Sequence, residues 1–193
     1  MSCSSRGMCV IINNINFLGG HVKREGAELD EGALKQLFTE LQFTVHIFRD
    51  LQREEMWKVA LEFSKKDHSQ FDAFVFIVMS HGGDKDIIYG LKGRNTRIED
   101  LMSEFKAANC PTLQNKPKLF IIQTCRGSSN ESLSPSLGNA DTGAAFSSDS
   151  TLARSVCPQE ADFLLSFATA PGYKAWRYPG FGSPYIQVSF TSF

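Results

Sequence analysis

Short apolar runs rich in β-branched and aromatic residues alternate along the chain with segments whose apolar residues recur at helical spacing. The strand-like runs are Met8–Ile12, Phe43–Phe48, Phe71–Met79, Lys118–Ile122 and Ala161–Thr169, and the helix-like segments are Leu29–Leu41, Met56–Phe63 and Ile98–Phe105. Asp30 stands near the start of the first helix-like segment, where we expect its side chain to cap the helix. This alternation predicts an α/β fold with a mostly parallel central sheet and helices on both faces.

The length and charge of the chain bound what it can do. Its 193 residues are enough for one domain with a substantial core. The formal net charge of −1 predicts neither a nucleic-acid partner nor a membrane partner. No apolar run approaches the roughly 20 residues needed to cross a bilayer, and the N-terminal residues lack the layout of a signal peptide. We therefore expect a cytoplasmic protein.

The five cysteines form no recognisable disulfide or metal pattern. They are Cys3, Cys9, Cys110, Cys125 and Cys157. Their number is odd and no CxxC pair occurs, so neither a disulfide framework nor a structural zinc site is expected. Nothing in the sequence predicts a metal or a cofactor. A cysteine outside such patterns is most often a small buried apolar side chain.

Two of the strand-like runs end at side chains with catalytic chemistry. The run that ends at Met79 leads into His81 and Gly82, and the run that ends at Ile122 leads into Cys125. Neighbouring parallel strands bring their carboxyl ends to one edge of a sheet. There an imidazole can take the proton of a thiol nucleophile, and the amides of Gly82 and Cys125 can face a developing oxyanion. Alternatively, His81 is a loop histidine bonded to the backbone and Cys125 is a buried apolar residue.

These stretches resemble the active-site motifs of the caspase family. The segment QTCRG, residues 123–127, is similar to the caspase pentapeptide, and MSHGG precedes it at about the expected distance. The resemblance extends over CVIINNINF, PQEADFLLSFATAPGY and AWRYPGFGSPYIQ, and so covers essentially the whole chain. It implies a caspase-like three-layer sandwich and a cysteine endopeptidase that cuts after aspartate in apoptotic or inflammatory signalling. His81 and Cys125 would be catalytic, with an oxyanion hole formed by Gly82 and Cys125.

The resemblance also identifies side chains that would bind the substrate. Arg24 and Arg177 match the two arginines of the caspase pocket, and Gln123 matches the pocket glutamine. Trp176 matches the aromatic residue that lines the neighbouring subsite. Two guanidinium groups converging on one small carboxylate would select aspartate, because a neutral side chain cannot replace their charge-assisted bonds. From the residues alone an arginine is more often a solvated surface charge, and only the resemblance distinguishes Arg24.

A serine-rich stretch interrupts the alternation of strands and helices. By resemblance, residues 1–127 form a part like the large caspase subunit, 128–157 an intersubunit linker, and 158–193 the start of a part like the small subunit. Caspases are cut in this linker after aspartate, which identifies Asp141 and Asp149 as processing sites. A loop without any processing role is the alternative, because long polar loops are either functional or disordered.

The sequence departs from the caspase pattern in several places. Thr124 stands where alanine usually precedes the nucleophile, Lys174 stands where some members carry an aromatic ring, and Ala175 occupies a position often held by serine. The family pattern also continues beyond the point where Phe193 ends this chain, so we expect the small-subunit part to be truncated.

Three functions remain open at this point. The first is a caspase-type endopeptidase that acts on proteins or peptides with aspartate before the scissile bond, as a homodimer or heterodimer with other caspases. The second is a catalytically weak, truncated variant that binds caspases or their adaptors and regulates them. The third is a protease of the same broad fold that cuts after lysine or arginine. Such a pocket would be acidic, whereas Arg24 and Arg177 are basic.

Overall fold

The computed structural model describes residues 5–18, 20–92, 94–129 and 161–190. Both predicted processing sites, Asp141 and Asp149, lie outside the described residues, as does most of the serine-rich linker. The division into a large-subunit part, a linker and a small-subunit part therefore stays a prediction. Within the described ranges, no helix combines the length and the apolar character that a membrane span requires.

Strands and helices follow one another in the described residues in an order that alternates for most of the chain. In chain order they are β1 (Gly7–Asn13), α1 (Ala27–Glu40), β2 (Phe43–Arg49), α2 (Arg53–Ser64), β3 (Ala73–Met79), β4 (Gly82–Gly83), β5 (Ile87–Tyr89), β6 (Asn95–Arg97), α3 (Ile98–Ser103), β7 (Lys118–Gln123), β8 (Phe163–Phe167) and α4 (Pro184–Ser189). Each of the five strand-like runs and three helix-like segments of the sequence corresponds to one of these elements, with bounds shifted by a few residues.

A five-stranded sheet in the order β2-β1-β3-β7-β8 forms the centre of the molecule. Every neighbouring pair of its strands is parallel. The three middle strands are covered on both faces, which explains why their sequences are nearly continuous apolar runs and do not alternate between apolar and polar residues. The sheet contains strands from both sides of residues 130–160, because β7 pairs with β8.

Helices cover the two faces of this sheet and give the fold three layers. On one face Val10 and Ile12 of β1 pack with side chains of α2 and α3 in a cluster that is rich in phenylalanine. On the other face Cys9 and Ile11 pack with Leu34 of α1 and with α4. Alternate residues of one strand thus serve opposite cores, as the two-residue period of a strand requires. The predicted α/β architecture, with a mostly parallel sheet and helices on both faces, is confirmed.

A small antiparallel sheet, not predicted from the sequence, follows directly after His81. It consists of β4, β5 and β6, whose strands contain only two or three residues each. Runs this short carry too little apolar periodicity to be recognised in the sequence. Helix α4 was also not predicted, since its six residues include no extended apolar pattern.

The predicted role of Asp30 as the cap of the first helix is wrong. Helix α1 begins one turn earlier, and its N-cap is Gly26, in the left-handed conformation with φ of 82°. Asp30 is fully buried within α1 and accepts hydrogen bonds from the Ser183 amide at 2.8 and 3.1 Å and from Gln187 Nε2 at 2.9 Å. It therefore joins α1 to the start of α4, and a pattern of local spacing could not reveal a partner 153 residues away.

We expect Asp30→Ala to lower the free energy of unfolding by about 1–3 kcal/mol, because it leaves the buried Ser183 amide without its acceptor. Urea denaturation followed by circular dichroism measures the change. Glu40→Ala, at the exposed end of the same helix, is the control and should change stability by about 0.5 kcal/mol or less. Equal effects of the two substitutions would contradict the bridging role of Asp30.

Candidate active site

The parallel pairing of β3 with β7 brings the two predicted catalytic residues to one edge of the sheet. Met79 and Gln123, the last residues of these strands, are direct partners in the register. His81 and Cys125 each follow two residues later and line a common cleft of about 320 Å³. A larger surface cavity of about 610 Å³ contains Trp57 and lies away from this edge, with no predicted site residue among its described lining residues.

The imidazole of His81 is held by the chain segment that follows β1. Its Nε2 lies 2.8 Å from the carbonyl oxygen of Val22. Because a carbonyl oxygen only accepts hydrogen bonds, Nε2 carries the proton and Nδ1 is left as the basic nitrogen. The ring of Phe17 covers one side of the imidazole at a centroid distance of 4.7 Å. Neither Val22 nor Phe17 was predicted to contact the site, since both contacts are tertiary.

Burial lowers the pKa of His81 below its usual value. The hydrogen bond to the Val22 carbonyl acts in the opposite direction, and the positive charge of Arg24 adds to the lowering. His81 is therefore a neutral imidazole at neutral pH. A neutral imidazole beside a thiol can accept its proton, which is the first requirement for a cysteine nucleophile.

Of the three cysteines among the described residues, Cys125 is the one whose side chain is accessible from the solvent. It is free and partly exposed, and its sulfur lies 3.9 Å from the carbonyl oxygen of Ala175. Cys9 and Cys110 are also free but fully buried, and burial raises the pKa of both thiols. Buried thiols with a raised pKa are inert packing residues, so Cys125 is the candidate nucleophile among the described cysteines.

Close backbone packing surrounds Cys125. A Cβ atom added to Gly82 would lie 2.5 Å from the carbonyl oxygen of Cys125 and 2.8 Å from the Cβ of Thr124, so only glycine fits. Gly127 packs against Gly172 in the same manner, with an added Cβ 2.2 Å from the Gly172 carbonyl carbon. The backbone of Gly82 therefore lies against that of Cys125, as an oxyanion hole between them requires. That both amides face a reacting carbonyl stays a prediction.

Arg126, next to Cys125, holds the loop that contains Cys125 in place. Its guanidinium donates to both carboxylate oxygens of Asp86, at 2.6 and 3.2 Å, and lies over the ring of Phe167 at 3.8 Å. The amide of Arg126 also donates to the carbonyl of Tyr173 at 2.9 Å. These contacts connect the Cys125 loop to the small antiparallel sheet and to β8. Sequence reasoning missed them because no spacing pattern links Asp86 to Arg126.

The structure places Arg24 and Gln123 in direct contact beneath the strand ends. Both side chains are buried, and Nη2 of Arg24 donates to Oε1 of Gln123. Nη1 of Arg24 donates to Asn13 Oδ1 at 3.2 Å and to the Asn14 carbonyl at 2.8 Å. Burial lowers the pKa of Arg24, and the positive charge of Arg177 lowers it further. The two arginines are therefore near enough to repel each other, which favours an anion between them.

The segment that follows Ala175 carries the remaining predicted binding residues. Arg177 is partly exposed and donates through Nε to the Glu25 carbonyl at 2.8 Å, and burial lowers its pKa. Trp176 is 47% exposed. Because the Ala175 carbonyl contacts the sulfur of Cys125, this segment runs beside the Cys125 side chain. The described residues contain no cluster of histidine, cysteine or carboxylate side chains arranged to hold a metal ion.

Comparison with known proteins shows the family of the chain. Residues 6–191 match a family model described as "Caspase domain". Caspase-3 of Mesocricetus auratus is 39% identical over 189 residues, which cover 97% of this chain and 65% of the relative. Caspase-3 of Mus musculus is 39% identical over 191 residues, with the same coverage. Caspase-8 of Rattus norvegicus is 36% identical over 200 residues, covering 97% of this chain and 41% of the relative. The chain spans about 65% of the length of the two caspase-3 relatives.

Removal of the Phe17 ring should raise the pKa of His81. Phe17→Ala lets water reach the imidazole, so its pKa should move upward, toward the ordinary value of about 6.5. The fraction of neutral His81 then falls at mildly acidic pH. NMR titration of the histidine ring protons measures this directly.

Phe71→Ala is the matched control, because Phe71 contacts the ring of His68, at 6.0 Å between centroids, and not that of His81. It should leave the His81 titration unchanged. An unchanged or lowered pKa of His81 in Phe17→Ala would show that the Phe17 ring does not control its exposure to water.

Proposed function

Because the chain belongs to the caspase family, we propose that it is a cysteine endopeptidase that hydrolyses peptide bonds after aspartate. One observation carries the proposal: His81 and Cys125 line a single cleft at the strand ends, beside the buried Arg24–Gln123 pair. His81 and Cys125 provide general-base and nucleophile chemistry, and the Arg24–Gln123 pair provides a site for a carboxylate.

The proposed reaction proceeds through a thioester. His81 accepts the thiol proton of Cys125, and the sulfur attacks the carbonyl carbon of the scissile bond. The resulting oxyanion faces the amides of Gly82 and Cys125. His81 then gives its proton to the leaving amine as the C–N bond breaks. A water molecule, deprotonated by His81, then attacks the thioester. The C–S bond breaks, which releases the carboxylic acid product and restores the free thiol of Cys125.

The proposed specificity for aspartate comes from positive charge that has few counterions. Arg24 is fully buried and Arg177 is half-buried, and burial lowers the pKa of both guanidinium groups. A substrate carboxylate entering between them would form charge-assisted hydrogen bonds in a site with little water. Asparagine has the same shape without the charge, so it would leave both cations uncompensated. Trp176, exposed on the same segment, is proposed to contact the preceding substrate residue.

A second candidate function is that of a weakly active caspase variant that binds and regulates other caspases or their adaptors. It is favoured by the surface of β8, the last strand of the described sheet, where Leu164 is 59% and Leu165 is 37% exposed. Exposed apolar residues on an edge strand are suited to contact with another chain. Both candidate functions involve homodimers or heterodimers of caspases.

Two further features complete the proposal. Asp141 and Asp149 are proposed processing sites, where cutting would separate the catalytic pair from Arg177 in the chain. A cytoplasmic location is proposed because a reducing compartment preserves a free thiol nucleophile such as Cys125.

A reporter peptide with aspartate before the scissile bond tests the catalytic proposal. We expect the wild-type chain to release the reporter and Cys125→Ala to show only the uncatalysed rate. In parallel, a peptide electrophile with the same aspartate should label Cys125 in preference to Cys110. Labelling without turnover would favour the regulatory function. The absence of both labelling and turnover would contradict the proposed aspartate specificity.

Arg177→Lys should reduce kcat/KM for the aspartate reporter at least about ten-fold, a loss of roughly 1.4 kcal/mol. Lysine keeps the positive charge but loses the planar fork that bonds a carboxylate at two points. Arg97→Lys, at an exposed arginine of β6, is the control and should leave kcat/KM unchanged. Equal turnover of aspartate and asparagine reporters by the wild-type chain would refute the two-arginine pocket.

A further inference from the structure

Arg24 is a buried cation whose hydrogen bonds all go to neutral oxygens. The acceptors are the side chains of Asn13 and Gln123 and the carbonyl of Asn14, and Nε of Arg24 has no hydrogen-bond partner. None of the ion pairs among the described residues includes Arg24. A charge buried without a counterion costs several kcal/mol unless its surroundings compensate for it. The carboxylates of Asp30 and Glu28 stabilise the charge of Arg24 through space, and Glu31 is connected to Arg24 through the amide of Asn13.

The amide of Asn13 connects Arg24 to helix α1. Asn13 is fully buried, and its Nδ2 donates to the Ala27 carbonyl at 3.1 Å and to Glu31 Oε2 at 3.0 Å. Both of these partners are acceptors, so the amide group must turn its nitrogen toward α1. Its oxygen then faces Arg24 Nη1 at 3.2 Å. A reversed amide would place its oxygen against the Glu31 carboxylate and its nitrogen against the guanidinium.

Glu31 is an ionised carboxylate although its side chain is only 6% exposed. Burial acts to raise its pKa, but hydrogen bonds from Arg49 and Asn13 hold the pKa below its usual value. Arg49 donates through Nε to both carboxylate oxygens, at 3.1 and 2.9 Å, and through Nη2 to Oε1. The side chain of Arg49 is 62% exposed, so this end of the chain of hydrogen bonds reaches the solvent.

We propose that Glu31 is a positioning residue for the aspartate pocket, acting on Arg24 through Asn13. This inference rests on the proposed function, because it assumes that Arg24 binds the substrate carboxylate. The negative charge of Glu31 polarises the Asn13 amide and fixes its direction, which strengthens the bond to Arg24 and holds the guanidinium in place. Loss of the charge therefore weakens recognition of aspartate and leaves the reactivity of Cys125 itself intact.

The other carboxylates of α1 do not share this connection. Asp30 bonds to the start of α4 through Ser183 and Gln187. Glu28 is exposed and forms an ion pair of 3.9 Å with Lys23. Glu28 also stabilises the positive charges of Arg24 and Arg177 through space. The matched control for Glu31→Gln is therefore Glu40→Gln, which removes the same charge from the exposed end of the same helix without touching the hydrogen bonds of Asn13.

The test measures the rate at which Cys125 of the full chain is alkylated by three probes. Two are peptide electrophiles that differ only in aspartate or asparagine beside the reactive carbonyl. The third is iodoacetamide, which reports the reactivity of the thiol without using the pocket. For Glu31→Gln we expect the rate with the aspartate probe to fall about ten-fold, with the iodoacetamide rate within about two-fold of wild type. Glu40→Gln should leave all three rates unchanged.

The proposed function and this inference fail in different ways. If the wild-type chain shows no preference for the aspartate probe over the asparagine probe, the aspartate pocket itself is refuted, and the inference with it. If the wild-type preference is present and Glu31→Gln retains it in full, the positioning role alone is refuted. An equal loss in Glu40→Gln would also refute it, because net charge would then explain the effect.

Arg49→Ala provides a second test that leaves the buried carboxylate in the protein. The groups that face Glu31 are Arg49 from β2, Asn13 from β1 and Lys35 from its own helix. Without Arg49, burial raises the pKa of Glu31, so the carboxylate becomes protonated as the pH falls. The ratio of the aspartate-probe rate to the iodoacetamide rate should then decline between pH 7.5 and 5.5 in Arg49→Ala and stay constant in wild type. A constant ratio in Arg49→Ala would refute the inference once NMR titration shows that Glu31 becomes protonated over this range.

Discussion

The in-register parallel pairing of β3 with β7 is the constraint on which the site depends. Because the pairing ends at Met79 and Gln123, the chain leaves both strands at the same level of the sheet. His81 and Cys125 each lie two residues beyond the end of their strand and therefore line the same cleft. A shift of one residue in this register would turn the apolar side chains of β7 to the wrong core, so the packing of both layers fixes the relative positions of His81 and Cys125. The core and the site are thus set by the same hydrogen bonds.

The architecture could be predicted because its signals are local. Each long strand carries a run of apolar residues, and the helices between them show the 3.6-residue period, so the order of elements implies a parallel sheet. The small antiparallel sheet and α4 carry no such signal, since each is made of a few residues stabilised by tertiary contacts. Asp30 illustrates the same limit. Its position near a helix start is typical of a cap, but its acceptor atoms serve α4.

The candidate site divides in a similar way. His81 and Cys125 follow long strands and could be located from the sequence, and Arg24 was identified only by resemblance to a family. The partners that hold them, such as Val22 for His81 and Asn13 for Arg24, are set by loop geometry and by contacts across the sheet. Buried polar groups of this kind are costly unless each finds its partner, so they are placed by the whole fold and leave little trace in local spacing.

The pairing of β7 with β8 has a consequence for the molecularity of unfolding. These neighbouring strands lie on opposite sides of residues 130–160 and are held together by backbone hydrogen bonds and side-chain packing. In the intact chain their separation is a unimolecular event. A single break in the intervening segment would make it a dissociation into two polypeptides. The melting temperature of the nicked protein would then rise with protein concentration, as it does for a heterodimer, whereas that of the intact chain would not.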